Sequence, residues 1–345
     1  MLIIFYSCTI YTIYVTVLKD GTYTIVLQAA CFVSAGVQSN VKLICFITQR
    51  FRVREAQTFL DDTYKGYENR GGNYRKVLLA SIAATMKGIK AFAFIYVLVV
   101  LACSGFPIVY NALYDERILV MQFLLPGVDP STTAGFALLS ALHVFCLCLG
   151  AFGNFASDMY FLTFIGSVPL LKNILRCKFQ DLNEMLDRES QPTSKQVRDA
   201  MMDIVIWHKE YLRLLFCTSR IFFIIIFAHI FCSAVSVVTT VYCMLIGVWP
   251  AAPFFMVLSL ANLYLYCGLG TVVDNSNDDC ACIIYTSCWY KLPITEQRVV
   301  LLMLLKCQGT ESLTVGSMLP LTVATALSIT KTVYSMLMLL MRGRD

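Results

Sequence analysis

Long apolar runs dominate the chain, interrupted by two extended charged stretches. An apolar run of about 20 residues is enough to cross a bilayer core as a helix. Seven such runs occur, at 2–18, 22–47, 91–113, 133–154, 216–245, 251–273 and 313–341. No alternating ten-residue segments of the kind found in membrane barrels accompany them. The pattern therefore predicts an all-α polytopic membrane protein with seven transmembrane helices. A cleaved leader is the rival reading of the first run, but its basic segment and small-residue cleavage site are missing.

The charged stretches carry helical periodicity of their own. Arg54–Tyr64 and Phe179–Leu186 place apolar residues at three- and four-residue spacing among charges. Thr193 or Ser194 is suited to cap a helix, and Met201, Ile204, Val205, His208, Leu212 and Leu215 then recur at helical spacing into the fifth run. Another amphipathic helix is expected from Thr295 until Gly309 breaks it. Spans four, five and six should thus project beyond the membrane, with 165–215 and 274–308 forming an anchor of packed helices.

Composition supports the class, and charge adds an orientation. The 345 residues are 58% hydrophobic and 14% charged, with mean hydropathy +0.69, too apolar for an ordinary soluble domain. Arg50, Arg52, Arg54, Lys65, Arg70, Arg75, Lys76, Lys87 and Lys90 lie between the second and third spans. Lys172, Arg176, Lys178, Arg188, Lys195, Arg198, Lys209 and Arg213 lie between the fourth and fifth. The loop after the third span has only Arg117, and Gly247–Pro250 has no charge. Basic loops stay cytoplasmic, which places the N-terminus inside and the C-terminus outside. Arg342 and Arg344 oppose that orientation and are outnumbered. The net charge of +5 is then a topology signal, and no nucleic-acid partner is implied.

Catalytic chemistry is not visible. No phosphate-binding loop, GxSxG, HExxH or paired carboxylates on an apolar helix face occur, so no enzyme is expected. Cys280, Cys282 and Cys288 are the densest of the fifteen cysteines. A metal there would want a second pair or a nearby histidine, so no metal and no cofactor are expected.

Polar groups inside the spans are the functional candidates, because they are expensive there. His143 sits in the outer half of span four, where it suits a ligand cavity or a bond to a neighbouring helix; Asn154 and Asp158, at the inner end, suit a structural hydrogen bond or salt bridge. His208 suits a packed position in the anchor. Aromatics crowd the outer halves of spans two, three, four and six, and an apolar pocket with few polar groups suits a small hydrophobic ligand. Gln28, Phe32, Ser104, Phe106, Tyr110, Phe136, His143 and Tyr264 are its candidate residues. In the terminal span, Thr322, Thr325, Ser328, Thr332 and Ser335 share one helical face, continued by Leu339 and Gly343. Close helix packing and a wetted pore wall with an apolar gate fit that stripe equally well.

The last third adds a resemblance. Tyr264–Pro293 contains Tyr-x-Tyr-Cys, then Trp-Tyr-x-Leu-Pro. The terminal run contains Leu313-Thr314, Gly316, Pro320-Leu321, Lys331-Thr332 and Tyr334-Ser335. This ordered set, with Asp158 and His208, resembles the insect odorant receptors. The resemblance implies a ligand-gated, non-selective cation channel that works with an obligate coreceptor subunit, four subunits surrounding one pore. It implies a volatile ligand in an outer-leaflet pocket, pore-lining Thr332, Ser335 and Leu339, and the plasma membrane of an olfactory neuron dendrite. Members usually carry a cytoplasmic leader, whereas here Met1 opens almost directly into the first span. Gustatory receptors are close in architecture, but their closing Thr-Tyr and Gln-Phe pattern is absent. A G-protein-coupled receptor would need Asp-Arg-Tyr after span three and Asn-Pro-x-x-Tyr in span seven, and neither occurs.

Overall fold

The computed structural model describes residues 2–19, 24–114, 118–121, 123–187, 193–246, 252–309 and 312–342. Tyr23, Arg117, Arg188, Gly247–Pro250, Gly343 and Arg344 lie outside them. Ten α-helices account for nearly all the described residues: α1 (Leu2–Lys19), α2 (Thr24–Thr48), α3 (Arg50–Glu68), α4 (Asn73–Tyr114) and α5 (Thr133–Gly166), then α6 (Val168–Asp187), α7 (Ser194–Ile246), α8 (Ala252–Tyr285), α9 (Ile294–Gln308) and α10 (Val323–Arg342). Five helical segments among them are long and apolar enough to cross a membrane, and Val323–Leu339 is a shorter apolar helix.

Local chemistry explains several boundaries. Thr132 caps α5 by accepting from the Gly135 N–H at 3.1 Å. At the start of α7 the Thr193 N–H donates to Gln196 Oε1 at 3.0 Å, the returning half of a capping box. From there α7 runs 53 residues without a break, about 80 Å at helical rise. Its inner half buries Met201, Ile204, His208 and Tyr211 on one stripe, as their spacing requires. That stripe meets Phe161 and Ile165 of α5, Leu171 and Leu175 of α6, Ile284 of α8 and Val300 of α9 in the largest core cluster. The main core therefore sits where α5, α6, the N-terminal half of α7, α8 and α9 meet.

Two elements differ from the sequence expectation. Helix α4 begins at Asn73, where hydropathy places the start of span three at 91. The segment 73–90 carries too many cations to count as membrane-spanning, yet has little to break a helix. Residues 313–322, expected to open the last helix, instead form a hairpin of β1 (Thr314–Val315) and β2 (Leu319–Pro320). Gly316 and Ser317 both take φ 60°, and the Met318 N–H donates to Val315 O at 3.2 Å, closing the turn. Pro320 then prevents an earlier helical start. Thr322 and Thr325 serve this junction: the Thr325 hydroxyl donates to Pro320 O at 2.7 Å, and Thr322 Oγ1 accepts from the Thr325 N–H at 3.4 Å.

Candidate functional site

A buried ion network crosses the middle of the bundle. Lys42 of α2 donates to Asp158 Oδ1 of α5 at 2.5 Å, with both side chains almost wholly buried. The Tyr266 hydroxyl of α8 donates to the same oxygen at 2.7 Å, and the Tyr96 hydroxyl of α4 donates to Oδ2 at 2.8 Å. Tyr266 is stacked between His229 of α7, at 3.8 Å between ring centroids, and Phe161, at 4.4 Å. Four helices thus meet at one carboxylate, and α7 joins them through the ring of Tyr266. A salt bridge at Asp158 is legible from its position; Lys42 is not, because a lone cation in an apolar run names no partner. The neighbouring Asn154 donates to Ser39 Oγ at 2.6 Å, another interhelical tie.

A cavity of about 830 Å³ borders this network. Its walls come from α2, α4, α5 and α8, with Ser233 and Ser236 contributed by α7. Its surface is mainly apolar, from residues such as Phe32, Val99, Cys103 and Phe255. Polar groups sit at defined points. The Ser236 and Ser259 hydroxyls are 3.0 Å apart, Gln38 Nε2 donates to Ser233 Oγ at 3.3 Å, and Asn262 and Tyr96 border the ion network. The cavity is open along part of its length and extends to the exposed Arg50 and Arg54 of α3. The volume falls within the range typical of small-molecule sites.

The residues singled out from sequence occupy different places. Phe32 is on the cavity wall, packed on Phe255 at 5.5 Å between centroids. His143 lies behind the wall. Its Nδ1 accepts from the Met121 N–H at 3.3 Å, so Nε2 carries the proton and donates to Phe123 O at 2.9 Å. It thereby pins the segment after α4, and Met121 of that segment does line the cavity. Ser104 donates to Val100 O of its own helix at 2.7 Å. Phe106 and Tyr110 pack on each other at 5.8 Å on α4, and Tyr264 Oη lies 3.4 Å from Thr330 Oγ1. Gln28 is buried in α2, and Phe136 is half-buried on the first turn of α5. The wall polar groups Gln38, Ser236, Ser259 and Asn262 carry no sequence mark that separates them from ordinary span residues.

Helix α10 divides its stripe in two. Thr325 is buried at the hairpin, whereas Ser328, Thr332, Ser335 and Leu339 face outward from the single chain, Leu339 at 69% exposure. The opposite face, with Ala326, Val333 and Leu337, is buried against the bundle. The Thr332 and Ser335 hydroxyls donate to Ser328 O and Lys331 O, both at 3.0 Å, and so leave lone pairs toward the open side.

Comparison with known proteins gives a consistent result. The chain is 19% identical over 344 residues to putative odorant receptor 83c of Drosophila melanogaster, covering 96% of this chain and 86% of that one. It is 25% identical over 202 residues to odorant receptor 22c of the same fly, covering 56% of this chain and 49% of the relative. The fold matches the insect olfactory receptor OR5 of Machilis hrabei with TM-score 0.76 at 14% identity, over 98% of this chain and 86% of that one. It also matches that receptor in complex with eugenol, with TM-score 0.78 at 13% identity, over 99% and 87% of the two chains. The model of the 7tm odorant receptor family matches residues 22–334, and the chain, a helical polytopic membrane protein, belongs to that family.

Proposed function

We propose that this chain is the odorant-binding subunit of a ligand-gated cation channel in the plasma membrane. The observation that carries the reading is the 830 Å³ cavity, mainly apolar with a few hydroxyls and amides, bordered by α2, α4, α5 and α8. Such a lining suits a small volatile whose one polar group reaches a serine or asparagine while its body displaces water. The related receptor from Machilis hrabei, structurally characterised with eugenol, supports a ligand of this size class. The outward face of α10, from Ser328 through Thr332 and Ser335 to Leu339, is the proposed pore wall, with Leu339 as its dry constriction. The coreceptor supplies the remaining subunits. The basic segments that include α3 and α6 face the cytoplasm by the charge rule.

The test is a panel of volatiles applied to cells expressing the chain with and without the coreceptor. Evoked cation current is expected with both subunits and little without the coreceptor; equal current from the chain alone would remove the obligate partner. The cavity is tested by Gly150→Leu, because Gly150 lines the cavity and a Cβ there meets open space. The filled cavity should shift agonist responses by roughly tenfold or more, the equivalent of about 1.4 kcal/mol, with surface delivery unchanged. Unshifted dose–response curves would place the ligand elsewhere. In the pore, Leu339→Ala should raise basal leak and alter relative cation permeability. Wild-type leak and reversal potentials would return the stripe to a packing role.

A further inference from the structure

Outside the cavity and the ion network, one cluster of side chains has the composition of a metal site. His208 of α7, Cys280 of α8 and Cys307 of α9 are all buried, and their ligand atoms lie within 4.8 Å of one another. His208 Nε2 is 3.2 Å from Cys307 Sγ, and the two sulfurs are 3.7 Å apart. Two thiolates on one zinc ion, at about 2.3 Å each and a tetrahedral angle, stand about 3.8 Å apart. The two sulfurs are therefore already at the separation of thiolates that share one ion, with the imidazole nitrogen beside them. We propose that His208, Cys280 and Cys307 form a zinc site that clamps the projecting ends of α7, α8 and α9 together.

Chemistry and charge favour this use of the cluster. Zinc binding releases the two thiol protons to solvent, and a site of one dication, two thiolates, a neutral imidazole and a water as fourth ligand carries no net charge. That neutrality suits a dry interior, where an uncompensated charge is costly. A disulfide between the same sulfurs is disfavoured on the cytoplasmic side, where thiols are kept reduced. The sequence hides the site because its ligands are 72 and 27 residues apart along the chain. Only Cys280 belongs to the cysteine cluster that composition picks out, and its partners come from other helices.

The site has a mechanical position. Cys307 lies in the last turn of α9, just before Gly309 and the hairpin that leads into α10. An ion there would fix that exit to α7 and α8.

The experiment is metal analysis of the full-length chain purified in detergent, followed by chelation and titration with cobalt(II). About one zinc ion per chain is expected, and cobalt should give a sulfur-to-metal charge-transfer band with intensified visible d–d bands. The Cys280→Ser/Cys307→Ser double variant should lose both signals, and Cys282→Ser, which alters an exposed neighbouring cysteine, should keep them. Should the double variant not fold, zinc-edge X-ray absorption of the wild-type chain decides: a shell of two sulfurs with nitrogen supports the site. A metal-free chain without a cobalt spectrum, a spectrum unchanged in a folded double variant, a shell of oxygen and nitrogen alone, or a Cys280–Cys307 disulfide would each overturn it.

Discussion

Lys42→Met is expected to prevent most of the chain from reaching the cell surface. The substitution removes the cation but leaves Asp158 buried in the bundle, with two tyrosine hydroxyls as its remaining partners. Breaking a buried pair from one side costs about 3–5 kcal/mol, because the surviving charge is uncompensated. A membrane domain with ordinary stability has little room for that loss. Surface labelling and thermal unfolding in detergent measure it directly. The decisive comparison is Lys42→Met combined with Asp158→Asn. The double variant buries no unpaired charge, and its asparagine still accepts from a tyrosine, so the residual cost falls to roughly 1–3 kcal/mol. Surface delivery should largely return. A double variant as impaired as the single one would show that Lys42 matters for something other than charge pairing.

Gly270→Ala should separate assembly from signalling. A Cβ at Gly270 would lie 1.8 Å from Leu321 O and 2.8 Å from Leu321 C, atoms of the hairpin backbone that cannot rotate aside. Relief requires the hairpin and the start of α10 to move away from α8. Overpacking of this kind costs about 1–3 kcal/mol. The main core lies mostly on other contacts, so the chain should still reach the surface, while agonist-evoked current per surface receptor falls severely. Gly268→Ala is the matched control, since a Cβ two residues earlier meets nothing within 4 Å. Equal current from the two variants would mean that α10 tolerates displacement from α8.

Hydrophobic periodicity made most of the helices legible, including the long α7 and the end of α9 at Gly309. It failed where a helix changes environment. The charged first turns of α4 belong to the same rod as its apolar part, and a hydropathy window cuts them apart. It failed again at 313–322, where Leu313, Val315, Met318 and Leu319 look like span residues, while Gly316 and Pro320 impose a turn. Tertiary encounters were the least readable. Asp158 could be recognised as paired, but Lys42, Tyr96 and Tyr266 each belong to a different helix. His143 was open to a cavity role or a structural bond from sequence, and its hydrogen bonds to the Met121 and Phe123 backbone are of the structural kind.

Helix α8 meets the cavity, the ion network and the hairpin along one side. Phe255 and Ser259 line the cavity, Asn262 borders both cavity and ion network, Tyr266 binds Asp158, and Gly270 meets the hairpin. These five residues follow at spacings of four, three, four and four, so they occupy one side of one rod about 22 Å long. No proline interrupts it. Such a rod does not absorb torsion over so short a distance. The cavity wall at Phe255 and the hairpin contact at Gly270 are therefore rigidly joined, and the Tyr266–Asp158 hydrogen bond ties the rod to α5 between them.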